Sequence, residues 1–533
     1  MGFAHEYATA IMRRGRIPME PADWVPDWGD RPRKGKFFPG VDSFPLPDGG
    51  CPADATLHRG LYGPGGERPF DLPLLGAMLR DSYGLVGRRL AVQANTDLGS
   101  LPFYRHANWS RGTASGGGLY PVGVHWVTGP SGPLAPGVYY YSTPHHSMQR
   151  LLAGDVTGEV RAALGGRAAA DGCDQFLVLG VSFWQNAFKY NSFCYHAVTM
   201  DVGTVLGTWR LWARAAGAHI GPHLWFDEPR LGRLLGLDAD EEGLFAVVPL
   251  RWRGAAPRTE RPVDAGVPGA PRVRLSDQVL SRRVTTFETV QRIHAATLEG
   301  AAYPPAPGAL TPALPAPPAP DARVVALPEP PPLDMTVRAA LRHRRSSFGR
   351  FEATEPIDAR QLSGVLAAAD GCGGLGSEPE TAGQTPLTSL YVIVNHVSGV
   401  ARGLYRYDRD GRSLRLVKEG DFGAFLQTNY FLSNYNVERA AAVLVPAVRT
   451  HAVLDAVGDR GYRLVNATVG AVAQSVYTAS AALSLGCGVA LGFDSVSFAE
   501  QMGQDDVTGE LPLLIMMIGH ERPRPADFRY DIA

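Results

Sequence analysis

Landmarks in the first half of this chain recur in the second at a nearly constant separation, which limits the folds open to it more than any other feature. Gly137-Val138-Tyr139-Tyr140-Tyr141 is answered by Gly403-Leu404-Tyr405-Arg406-Tyr407, and Gly154-Asp155 by Gly420-Asp421, both 266 positions on. Tyr195 is answered by Tyr462, Gly203 by Gly470 and Phe226-Asp227 by Phe493-Asp494, all 267 positions on. A chain of 533 residues is too long for one core. The expectation is therefore two copies of one unit, residues 55–255 and 336–533. An N-terminal extension (1–54) precedes them, and a helix with a proline-rich linker (256–335) joins them.

Composition and periodicity fill in the unit. Val122 to Trp126, Phe176 to Leu179 and Val247 to Trp252 read as strands in the first copy. Leu390 to Val394, Ala442 to Val445 and Leu513 to Ile518 answer them in the second. Ala197 to Ala216 and Leu464 to Leu485 carry helical spacing, as does Asp277 to Leu298. Strands and long helices mix without regular βαβ alternation, so the expected class is α+β, duplicated within one chain. Tyr303 to Asp334 is crowded with proline and alanine and reads as a surface spacer. The first fifty residues read as an extension wrapped over the fold.

Bulk charge excludes several functions. A net charge of −1 gives no field for nucleic acid or anionic lipid, and the short basic run Arg31 to Lys36 reads as a solvated or peptide-facing edge. Five cysteines without Cys-x-x-Cys or metal-ligand spacing read as a reduced, cytoplasmic protein without structural zinc. Leu464 to Phe493 carries no formal charge, yet its Asn, Gln, Ser and Thr content favours a helix buried at a domain or subunit interface, then a glycine-rich loop, over a membrane span. His145-His146 lies in a turn without other ligands, and no metal is assigned.

The chemistry concentrates in two short motifs. In Ala114-Ser115-Gly116-Gly117-Gly118-Leu119-Tyr120-Pro121, three glycines after a serine leave backbone amides uncovered, so a flat ring can lie on the main chain. Phe188-Lys189-Tyr190 then sets a cation beside a phenol, an arrangement able to lower the phenol's pKa and make a proton acceptor. Taken singly, a serine-glycine run is a turn and a Lys-Tyr pair is structural.

These residues resemble the azoline dehydrogenases of the nitroreductase-like flavoproteins, the SagB-type or McbC-like enzymes, whose pattern is roughly Pro-Ser-Ala-Gly-Ala-Leu-Tyr-Pro followed by Lys-Tyr-Gly-x-Arg-Gly. The continuation here, Asn191-Ser192-Phe193-Cys194, departs from Gly-x-Arg-Gly. The resemblance implies a tandem nitroreductase-like fold forming a pseudo-dimer, with FMN between the copies. It also implies oxidation of thiazolines or oxazolines to azoles in a cyclised precursor peptide, as in thiopeptide antibiotic biosynthesis, with a cyclodehydratase as partner. Tyr190 is the preferred base with Lys189 assisting it, the reverse assignment staying open.

The copies differ in a complementary way. Arg342-His343-Arg344-Arg345-Ser346-Ser347 in the second resembles the family's phosphate-binding Arg-Arg-Ser-x-Arg segment. Phe348 stands where a second basic residue is usual, and Arg350 is the nearest substitute. Around Leu57-His58-Arg59-Gly60 the first copy has no such cluster. Conversely, the positions opposite Lys189 and Tyr190 are Ala456 and Val457. The expected cofactor set is Ser115, Gly116, Gly117, Arg344, Arg345 and Ser346, with Gly486 and Gly488 placing backbone donors near the ring and Arg522 and Arg524 as further phosphate candidates. The rival readings are an NAD(P)H-dependent nitro or quinone reductase and a degenerate peptide-recruiting subunit. Whether two such chains pair again is left open.

Overall fold

The computed structural model describes residues 2–90, 95, 107–167, 172–254, 271–381, 383–522 and 529–532. Two long helices, Cys194–Ala215 and Gly461–Ala482, lie against each other at its centre. Both are buried on nearly every face, as expected of helices enclosed by protein. Their polar side chains are absorbed locally: Thr199 and Thr208 donate to the carbonyls of Tyr195 and Thr204, and Asn466 and Thr478 to those of Tyr462 and Gln474. The uncharged stretch is thus an interface helix, and among the described residues no helix is long and apolar enough to cross a membrane.

The helix pair shows why the repeat keeps its register. A Cβ on Gly203 would collide with the backbone of Ala467, and one on Gly470 with that of Met200. Met200 and Ala467 are themselves 267 apart. The same reciprocity joins Arg463 to the Tyr195 hydroxyl (2.9 Å) and His196 to the Tyr462 hydroxyl (2.8 Å). Contacts of i with j and of j's counterpart with i's are the mark of a two-fold interface.

Each helix serves one antiparallel sheet, and the sheets share a strand order. The first runs Ser43–Pro45, Ser147–Ala153, Gly137–Ser142, Val122–Thr128, Gln175–Ser182, Glu242–Pro249. The second runs Val324–Ala326, Ser413–Glu419, Gly403–Asp408, Ser389–Val394, Ala442–Val448, Ile515–Gly519, and then adds Gly486–Ala490. The mixed helix-and-sheet class and the six main expected strands are present. A smaller sheet pairs Leu85–Arg89 with Asn108–Arg111 on one side and with Arg529–Asp531 on the other. It draws the C-terminal strand of the second half onto the first.

Three expectations need correction. Helix forms only over Glu288–Leu298, because the residues before it are committed to the N-terminal segment: Gln278 N–H donates to Phe37, and those of Arg282 and Arg283 to the Asp30 carboxylate. The proline-rich stretch is more than a spacer. Val324–Ala326 forms the edge strand of the second sheet, and Leu310, Ala313 and Leu333 are buried. Gly486–Ala490 is a strand in register with Ile515–Gly519, where a loop was expected.

A buried charge cluster helps to lock the halves together. Glu228, from the first half, accepts from Arg460 (2.9 Å) and Arg463 (2.8 Å) of the second and from the Leu244 N–H (2.8 Å). Burial pushes the Glu228 carboxyl up, but Arg463, Arg460 and His294 together outweigh it and hold the pKa at about 2. Burial, with Arg463 alongside, lowers Arg460 to about 10, whereas Glu228 holds Arg463 above its usual value. Both guanidiniums stay charged at neutral pH.

Candidate active site

A cleft of about 580 Å³ opens between the halves. Ser115, Gly116, Gly117, Lys189, Tyr190, Arg344, Arg345 and Ser346 all line it, so motifs more than 200 positions apart in sequence share one wall.

The glycine loop is held from both sides. From the second half, the buried Arg344 guanidinium donates to the carbonyls of Gly112 (2.6 Å), Arg111 (3.1 Å) and Thr113 (3.3 Å). Gln474 accepts from the Ala114 N–H (3.0 Å) and donates to Gly112 (3.0 Å). From the first half, Asp201 accepts from Ser115 Oγ (2.6 Å) and the Gly116 N–H (2.8 Å). Burial raises the Asp201 carboxyl to about 7 against these donors and against Arg111. Ser115 Oγ also accepts from the Tyr120 N–H (2.8 Å). Ser115 and Arg344, both expected to hold a ligand, therefore hold the loop.

The phenol and the ammonium converge on that loop. Gly117 has φ +62°, and a Cβ built on it would lie 2.5 Å from Tyr190 Oη and 2.9 Å from Lys189 Nζ. Lys189 Nζ stands 4.7 Å from the Tyr190 ring centroid. The turn bearing them ends helix Trp184–Tyr190 and is clasped by the N-terminal segment. Trp24 Nε1 donates to Phe188 (2.9 Å), Asn191 Nδ2 to Pro21 (3.1 Å), and Ser192 Oγ to Glu20. Tyr120, Asn191 and Phe348 line the cleft with φ of 52°, 42° and 48°, left-handed values that cost a non-glycine residue energy and concentrate at functional sites.

The second half contributes less to a phosphate site than its sequence implies. Arg345 pairs with Glu521 (2.7 Å) and Ser346 Oγ with the Tyr477 hydroxyl (2.9 Å), both facing the cleft. Arg350 turns to Glu521 and the Arg522 carbonyl and does not line it. Arg522 does not line it either, and Arg524 falls outside the described residues. Gly486 and Gly488 are also off the wall, since a Cβ would drive the first into Glu521 and Ser347 and the second into Tyr435. Val489 to Gly492, just beyond, reach it.

Sequence reasoning missed Lys34, Trp109, Asp201, Phe431 and Leu432, all cleft-lining. Trp109, Phe431 and Leu432 are exposed apolar side chains at its edge, and Lys34 lay in a basic run that reads as surface.

The nitroreductase family profile matches residues 341–520. A protein of Methanocaldococcus jannaschii that bears the name nitroreductase is 31% identical over 171 residues, 32% of this chain and 83% of that protein. This chain belongs to the nitroreductase family. In fold it is similar to a solved structure from Anabaena variabilis, also named a nitroreductase, with a TM-score of 0.70 at 21% identity over 98% of this chain and 100% of that one. The E. coli microcin synthetase McbBCD complex, solved with truncated pro-MccB17 bound, aligns over 34% of this chain and 71% of that chain at 17% identity and a TM-score of 0.28, too slight a likeness to carry weight.

Proposed function

We propose that the chain is an FMN-dependent azoline dehydrogenase acting on a cyclised peptide, with residues 55–255 and 336–533 as two nitroreductase-like halves sharing one cofactor. The observation that carries this reading is the meeting of Tyr190 Oη and Lys189 Nζ over Gly117. The residues present fit an isoalloxazine: the left-handed, cleft-lining Gly118 has no described atom within 4 Å of where a Cβ would stand, which leaves main chain open to a flat ring, and the loop carrying it is fixed before any ligand arrives. Arg345 and Ser346 would hold the phosphate.

FMN supplies the two-electron acceptor that takes the hydride and is restored by oxygen. Tyr190 is the base that takes the proton from the ring carbon that was Cα, and the Lys189 ammonium beside its ring assists it. With the proton lost to Tyr190 and two electrons taken by the acceptor that FMN would supply, the ring would be two hydrogens poorer and aromatic. Phe431, Leu432 and Trp109 offer apolar surface to the flanking peptide.

Incubating a cyclised precursor peptide with purified protein is expected to lower its mass by about two units per ring. One flavin per chain is expected in the same preparation, and a reproducible two per chain would overturn the shared-cofactor reading. Gly117→Ala forces a Cβ into a left-handed position at roughly 1–2 kcal/mol and displaces Tyr190 Oη. Flavin fluorescence titration is expected to show binding weakened by about tenfold.

The M. jannaschii relative's name keeps a second reading in view, NAD(P)H-driven reduction of nitro compounds or quinones. A base aimed at substrate carbon has no task in that reaction, which favours the dehydrogenase. Rapid bleaching of bound flavin by NADPH would reverse this preference.

A further inference from the structure

The cleft is far more basic than the chain. Against a net charge of −1 overall, its described lining carries seven basic side chains and one carboxylate, Asp201. Several of the seven are engaged in place: Arg344 donates to loop carbonyls, and Arg345 and Arg529 pair with Glu521 and Asp531. Lys34 and Lys189 are different. Among the described residues neither meets a carboxylate, and each ammonium instead faces an aromatic ring, Tyr120 at 5.9 Å and Tyr190 at 4.7 Å.

Lys34 is held where it is from both sides. Its carbonyl accepts from Arg111 Nη2 (2.9 Å), and Arg111 is itself sandwiched between the Tyr83 and Tyr120 rings. Two residues on, the Lys36 N–H donates to the Tyr140 hydroxyl (3.0 Å), and Lys36 Nζ pairs with Glu242. The N-terminal segment thus presents the Lys34 ammonium to the glycine-loop end of the cleft, where Lys189 already stands. Two unneutralised cations on one wall repel each other unless an anion sits between them.

We propose that Lys34 and Lys189 form a two-ammonium subsite that binds a carboxylate-like anion at the glycine-loop end of the cleft. The anion has two sources: a carboxylate of the substrate, or the anionic edge that a reduced isoalloxazine presents. The second rests on the flavin reading above, and the first does not. Burial of the ammonium, and after it the positive charges of Arg111, Arg31 and Lys189, lower Lys34 to about 8, so the subsite weakens as pH rises through that value.

The probe is benzoate, with neutral benzamide as control, titrated into the full chain, Lys34→Met and Lys34→Arg. Benzoate is expected to bind the wild type and the arginine variant alike, and Lys34→Met about ten- to a hundredfold more weakly, the worth of a charge-assisted hydrogen bond. Lys34→Gln repeats the test should methionine disturb packing. Wild-type benzoate affinity should fall between about pH 7 and about pH 9. If the anion belongs to the cofactor, Lys34→Met also lowers the midpoint potential of bound flavin by about 30 mV for each tenfold. If it belongs to the substrate, the potential holds and KM rises for acidic but not amidated peptides. Equal benzoate affinity in folded Lys34→Met and wild type, or benzamide binding as well as benzoate, overturns the subsite. Colourless protein that still binds benzoate through Lys34 overturns the flavin reading and leaves the subsite standing.

Discussion

Tyr190→Phe is expected to lower turnover of a cyclised peptide by about 10²- to 10⁴-fold, the usual worth of a positioned general base, with the flavin spectrum unchanged. The separation of effects follows from the geometry. Tyr190 Oη lies over Gly117, so losing it removes a proton acceptor, while the loop is fixed by Asp201, Arg344 and Gln474, which the substitution does not touch. Lys189→Met should be the milder change if the lysine only assists the tyrosine. Should Lys189→Met abolish turnover while Tyr190→Phe retains it, the two roles are reversed. Full activity in both variants with flavin bound would remove the base from this wall.

The largest effect on stability is expected at Glu228. Glu228→Gln leaves Arg460 and Arg463 buried without a counter-charge, and breaking such a cluster costs about 3–5 kcal/mol. The pH dependence has a definite sign. Because the folded carboxyl is held at about 2, below its ordinary value of 4.5, its contribution is complete above the unfolded value and fades as pH falls toward 2. Denaturant midpoints of the two proteins should therefore lie furthest apart near neutrality and close up in acid. A gap that is constant through that range would show that the cluster's worth lies in packing.

The parts of the fold that were legible are those encoded over a few residues. Helix and strand periodicity marked the central helices and six sheet strands within a few positions, and the offset of 267 survived because Gly203 and Gly470 each meet the other helix's backbone. The Lys-Tyr pair and the glycine loop were legible as motifs, but only the fold shows that they touch. The misplacements have one physical cause. An arginine that binds carbonyls and one that binds phosphate have the same letter, so Arg344 read as a phosphate ligand, while in the fold its guanidinium donates to the Gly112 carbonyl, 232 positions away. Gly486 and Gly488 read as a loop, yet what they make room for is Tyr435, Glu521 and Ser347 in a packed sheet. Lys34 was hidden because a basic run has no visible direction until its backbone is anchored by Arg111 and Tyr140.

In an assembly of two identical subunits every amino-acid change lands twice, once on each side of the axis, and a residue needed on one side cannot be surrendered on the other. Here the paired helices belong to one polypeptide, so Gly203 and Gly470, or Tyr195 and Tyr462, are separate loci that mutation reaches one at a time. A phenol can be kept at Tyr190 while its counterpart, Val457, drifts to a plain aliphatic side chain. Covalent joining thereby frees the two faces of the cleft to specialise, a latitude that a homodimer does not have.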